Sequence, residues 1–184
     1  MAHQDEPFVM DPDLRATIVA ARKEHEKRVW LDEDWRACVS IDEKYFVKYG
    51  NRRDVEPERA TQDYLFEHLQ QCQSQDTPRI AKTLHHFMDD DGYTMYLVME
   101  YIKLQVAPPD MDERVHDALL WLARAPLPPN QMLGPVGGGR IRHRFFKNYE
   151  APFEIPDLVM LDQYIQKVRT SWFHPVTVKS QGPF

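Results

Sequence analysis

Residues 79–102 read RIAKTLHHFMDDDGYTMYLVMEYI. Two strand-like runs flank Asp89-Asp90-Asp91-Gly92, and an Asp-Gly pair between such runs is a strong local signal for a β-hairpin. The second run is nearly continuous in apolar residues. A strand with one wet face alternates apolar and polar, so this one is predicted to lie in the middle of a sheet with both faces covered. A second hairpin is predicted upstream, where Trp35, Ala37, Val39 and Ile41 alternate with other residues and Asp42-Glu43-Lys44 turns the chain into Tyr45-Phe46-Val47-Lys48-Tyr49. Between the hairpins, Pro57 suits the first turn of a helix reaching about Gln71, with Glu58, Gln62, Leu65 and Leu69 on one stripe. The order strand-strand-helix-strand-strand predicts an α+β fold: a small antiparallel sheet with one packed helix, followed by a partial helical layer.

Outward from this centre the pattern becomes simpler. Residues 1–13 read as a loose acidic arm, and from Pro12 to Arg28 Leu14, Ile18 and Ala21 mark a helix expected to flank the sheet. Downstream of Pro108-Pro109, Asp110 and Glu113 are expected to cap a helix whose buried face is Val115, Ala118, Leu119 and Leu122. The run PLPPNQMLGPVGGG, about residues 126–139, is the clearest break in the chain, and a basic-aromatic stretch, RIRHRFFKNYEAPFEIPD, follows it. A last helix is predicted over about 157–169, on Leu158, Leu161, Ile165 and Val168, before an extended tail, TSWFHPVTVKSQGPF. The implied organisation is an arm and helix over 1–29, a sheet-bearing lobe over 30–107, and a helical region with the Pro/Gly loop over 108–184.

Composition narrows the function classes. The 184 residues are 42% hydrophobic and 28% charged, with 23 Lys+Arg against 29 Asp+Glu, which fits one globular domain large enough to hold together without disulfides or a structural metal. A net charge of −6 argues against nucleic acid as a partner, because phosphate contacts need a basic face. No apolar run reaches the ~18–20 residues of a spanning helix, and the N-terminus, MAHQDEPFVMDPD, is acidic, so neither a membrane nor a secretory route is expected and the cytoplasm is. Cys38 and Cys72 have no metal-ligand spacing and read as free thiols. His85 and His86 beside Asp89–Asp91 could suggest a metal centre, but neighbours on a strand point to opposite faces and a turn already explains the aspartates, so no metal is expected. There is no GxSxG, HExxH or Walker A pattern.

The segments YFVKYG, VEPERATQDYLFEHL, PRIAKTLHHF and YLVMEYI, in this order, resemble the N-terminal lobe of protein-kinase-like phosphotransferases, in particular fungal kinase-like proteins related to aminoglycoside phosphotransferases and choline kinases. The later GPVGGGRIRHRFFKNYEAP resembles the segment those fungal proteins place between hinge and catalytic loop, so the likeness covers about residues 30–168. It implies that Lys48 is the strand lysine that meets nucleotide phosphates, that Glu58 is its helix partner, and that the backbone at Glu100 and Ile102 forms a hinge that receives adenine. Physical chemistry agrees on one point, since a Glu heading an otherwise apolar stripe needs a cation opposite it.

The family's catalytic parts are missing. No HxDxxxxN element occurs; the nearest string, His143-Arg144-Phe145-Phe146-Lys147-Asn148, has Phe where the Asp belongs, and no DFG follows. The resemblance therefore implies a shortened kinase-like pseudoenzyme that binds a small molecule or a protein partner in the remnant cleft. ATP is the one cofactor it raises, and none is expected to be required. Arg140, Arg142, Arg144 and Lys147, beside Gly137-Gly138-Gly139, are candidate contacts for an acidic ligand. The alternative is a small biosynthetic enzyme of fungal secondary metabolism, a cyclase or isomerase, with Glu58, His143 or Tyr149 as acid or base. Loss of a covering lobe would also leave apolar surface near residues 96–102 and 115–122, which predicts a homodimer.

Overall fold

The computed structural model describes residues 8–72, 77–103, 106–129 and 131–172. It divides the chain into two compact units, Met1–Pro128 and Pro129–Phe184, and the boundary falls in the Pro/Gly-rich stretch.

The first unit is α+β. Helix α1 (Pro12–Glu26) leads into the hairpin β1 (Cys38–Ile41) and β2 (Tyr45–Asn51), then α2 (Arg52–Gln71), the hairpin β3 (Thr83–Met88) and β4 (Thr94–Glu100), and α3 (Met111–Arg124). The four strands are wholly antiparallel in the order β1-β2-β4-β3. The apolar run chosen as central is central: every residue from Thr94 to Met99 is buried.

It is buried on both sides because two helices, not one, cover the sheet. Met95, Leu97 and Met99 point to α2, where they meet Val55. Tyr96 and Val98 point the other way and join Val47, Tyr49, Ile41 and Ile18, with Leu14 and Ala21 packed around them. The N-terminal helix is thus no flank; it closes the second face. Its amphipathic stripe was legible, but which surface that stripe covers is a long-range fact. Polar contacts fix the docking: Arg22 reaches Asp89 in the β3–β4 turn at 3.2 Å, Asp89 also accepts from the Tyr96 hydroxyl, and Arg15 donates to the Met88 carbonyl.

Three local readings differ from the structure. Helix α2 starts at Arg52, ahead of Pro57, because the Asn51 side chain accepts from the Arg53 N–H and sets an N-cap. Pro57 then lies inside the helix, where its ring has no N–H to offer. Asp110 does not cap α3 with its side chain; it pairs with Arg114 at 2.9 Å instead. The stripe expected to be buried on α3 is exposed: Val115, Leu119 and Leu122 all stand open, with Leu119 at 60%. The helix leans on α2 along a narrower line, where Trp121 meets His68 and the Tyr64 hydroxyl donates to the Pro126 carbonyl.

The second unit has a small core of Phe146, Ala151 and Ile155, against which Leu161 and Tyr164 of α4 (Leu158–Trp172) pack. Helix α4 runs three residues past its predicted end, so Thr170–Trp172 are helical rather than extended; the rest of the predicted tail, and residues 1–7 of the predicted arm, lie outside the described residues. Backbone bridges join Leu133 to Ile155 and Arg142 to Glu150. Gly134 is needed where it stands, at φ 140°, because a Cβ there would sit 2.9 Å from the Gly139 carbonyl oxygen. Among the described residues no helix is long and apolar enough to cross a membrane.

Candidate functional site

The site grows from the face of the sheet that α2 covers. Lys48 lies on β2 opposite Cys38 of β1 and Leu97 of β4, so its side chain rises on the α2 side beside Phe46 and Gly50. On α2, Val55 enters the core, and positions three and seven further on share its helix face. Those positions are Glu58 and Gln62. Glu58 accepts from the Lys48 ammonium, and Gln62 donates through Nε2 to the Ala81 carbonyl at 2.7 Å. The polar members of an otherwise apolar stripe are each satisfied, which explains how they stay in a helix packed on a sheet.

The Lys48–Glu58 pair is half open to solvent, with the two side chains 38% and 44% exposed. It is an accessible ion pair at the edge of the α2 contact. Arg59, the next residue, is drawn off by Glu56 and Asp63 on its own helix. The Cys38 thiol, on the same sheet face as Lys48, is pushed up by burial, a poor state for a nucleophile.

Glu100 ends β4, where its backbone N–H donates to the Lys82 carbonyl and its carboxylate accepts from the Lys82 N–H at 3.2 Å and pairs with Arg79. Tyr101 N–H donates to the Lys44 carbonyl. A ring bound along this segment would therefore have to use the Glu100 carbonyl and the backbone of Ile102.

Arg140, Arg142, Arg144 and Lys147 belong to the second unit, where all four are exposed. They are carried by a tight hairpin in which Ala151 N–H donates to the Ile141 carbonyl, His143 N–H to the Tyr149 carbonyl and Phe146 N–H to the His143 carbonyl. Phe146, 6% exposed, anchors it. His143 Nδ1 accepts from the Phe145 N–H at 3.1 Å, so this ring nitrogen is occupied in holding the turn. Tyr149 is 72% exposed at φ 60°, with Asn148 at φ 61°. The three candidate acid/base residues are thus divided, Glu58 in the first unit and His143 and Tyr149 in the second.

His85 and His86 do point to opposite faces: His85 faces the α1 side with Phe87 and is half buried, and His86 is exposed. Among the described residues no group of three or more His, Cys, Asp or Glu is placed to hold a metal ion. Sequence reading passed over one exposed feature, the connection between α1 and β1, where Trp30 and Leu31 stand out beside Asp32, Glu33 and Asp34. Its signal, VWLDEDW, is visible in the chain, but composition cannot say that these apolar residues stay outside.

No protein-family model, curated protein or solved structure matches this chain.

Proposed function

We propose that the first unit is a kinase-like binding lobe without phosphotransferase activity of its own, which takes a small anionic molecule at Lys48 and Glu58. The observation that carries this reading is the ion pair between a central-strand lysine and the glutamate of the helix packed on that strand, the arrangement that positions phosphates in phosphotransferases. The lack of an HxDxxxxN element in these 184 residues supports binding without transfer.

The test is a thermal-shift titration of the full chain with ATP and magnesium, with Lys48→Ala alongside. A ligand that binds only the folded state raises the midpoint by mass action. A rise that Lys48→Ala removes, with no phosphate transferred, supports the proposal. No rise with ATP, or one that Lys48→Ala leaves intact, overturns it.

A further inference from the structure

The two units carry opposite charge. Residues 1–128 hold 25 Asp+Glu against 16 Lys+Arg, whereas residues 129–184 hold seven Lys+Arg against four Asp+Glu. Each unit also displays an exposed loop or hairpin that combines its own sign of charge with aromatic or aliphatic surface. In the first unit this is the α1–β1 connection, with Trp30 92% and Leu31 83% exposed, followed by exposed Asp32, Glu33 and Asp34. In the second it is the 140–149 hairpin, where Phe145 and Tyr149 stand out among Arg140, Arg144 and Lys147. Those three cations form no ion pair among the described residues.

We propose that the basic-aromatic hairpin docks on residues 30–34 of a second copy of this chain, so that two copies form a reciprocal pair with two identical contacts. The chemistry is complementary twice over. Guanidinium groups match carboxylates and also lie favourably over an indole face such as Trp30. Phe145 and Leu31 supply exposed apolar area on the two segments. The hairpin is presented rather than loose: Phe146 is its buried anchor, and Asn148 and Tyr149 are held in the left-handed region, which non-glycine residues adopt only at a cost. One contact onto five residues falls short of the ~1,200 Å² of a stable interface, which favours a twofold arrangement that repeats it. This dimer is independent of what Lys48 and Glu58 bind.

The test is sedimentation equilibrium of the full chain at about 0.1 M and about 1 M salt, which shortens the reach of surface charge from about 10 Å to about 3 Å. The expected result is a dimer at low salt that dissociates at high salt. Two charge reversals sharpen it, Glu33→Lys with Asp34→Lys in one protein and Arg140→Glu with Arg144→Glu in another. Each alone is expected to be monomeric, and an equal mixture is expected to dimerise again, because in the mixed pair both contacts face opposite charge. Recovery in the mixture also shows that both variants fold. A monomer under all conditions overturns the proposal, as does a dimer that both reversals leave intact or a mixture that stays monomeric while each variant keeps the parent's circular dichroism and melting. A dimer broken instead by Leu119→Glu would move the interface to α3.

Discussion

Lys48 on β2 and Glu58 on α2 are ion-paired across ten positions of sequence, because the α2 face that buries Val55 against Met95, Leu97 and Met99 carries Glu58 one turn further on. The core places the pair; the pair does little to hold the core. Both side chains are more than a third open to water, so the attraction is screened and its contribution to stability is small.

Glu58→Gln and Lys48→Ala should therefore each lower stability by less than about 1 kcal/mol in urea denaturation. On the proposed reading, Lys48→Ala should also abolish the thermal shift with ATP. A loss of several kcal/mol would mean that the pair is buried in solution and structural rather than a binding feature.

Ile18→Ala should cost about 2–4 kcal/mol, because Ile18 is fully buried between α1 and the Tyr96–Val98 face of β4. Leu119→Ala, on the open side of α3, should stay within about 0.5 kcal/mol. Equilibrium denaturation of the two variants compares them directly. Equal effects would show that α1 does not close the sheet.

The β1–β2 turn holds two non-glycine residues in the left-handed region, Asp42 at φ 52° and Glu43 at φ 51°, with Lys44 N–H donating to the Ile41 carbonyl. Glu43→Gly should relieve strain and raise the urea midpoint, with a gain in stability of up to about 1 kcal/mol, even though it removes an exposed ion pair with Lys103. Gly134→Ala should do the opposite, since its Cβ meets the Gly139 carbonyl. A lowered midpoint for Glu43→Gly would refute the strained turn.

Burial holds the pKa of His85 below its usual 6.5, with the neighbouring His86 adding to the effect. The unfolded chain then takes up this proton more readily than the folded one. Stability from the neutral ring is present above pH 6.5 and is lost as pH falls through the lower folded value. Stability measured from pH 7.5 downward should fall, and His85→Phe should flatten that part of the curve. An unchanged slope in the variant would assign the fall to other groups.

Much of the sheet was legible because its signals are short-range. The unbroken apolar run at residues 94–99 marks a strand covered on both faces, Asp91-Gly92 marks the turn before it, and a Glu at position 58 in an apolar stripe calls for a cation. What failed were two statements about which surface an amphipathic element meets. The stripe of α1 was read correctly as a stripe and wrongly as a flank, and that of α3, with better apolar spacing, was read as buried and is exposed. Residues 96–99, part of the stretch expected to be bare, are sealed, Tyr96 and Val98 by α1 and Leu97 and Met99 by α2.

The sequence by itself therefore determined the antiparallel α+β sheet and the place of its central strand, because hydrophobic periodicity and turn chemistry act within a few residues; the Lys48–Glu58 pair was expected from the family resemblance. Tertiary structure alone decided that a second helix closes the sheet, that Asn51 starts α2 ahead of its proline, and that Arg140–Lys147 belong to a separate unit with its own Phe146 core. Those outcomes depend on which surfaces meet across tens of residues, and burial between distant segments leaves no mark in the local pattern of either one.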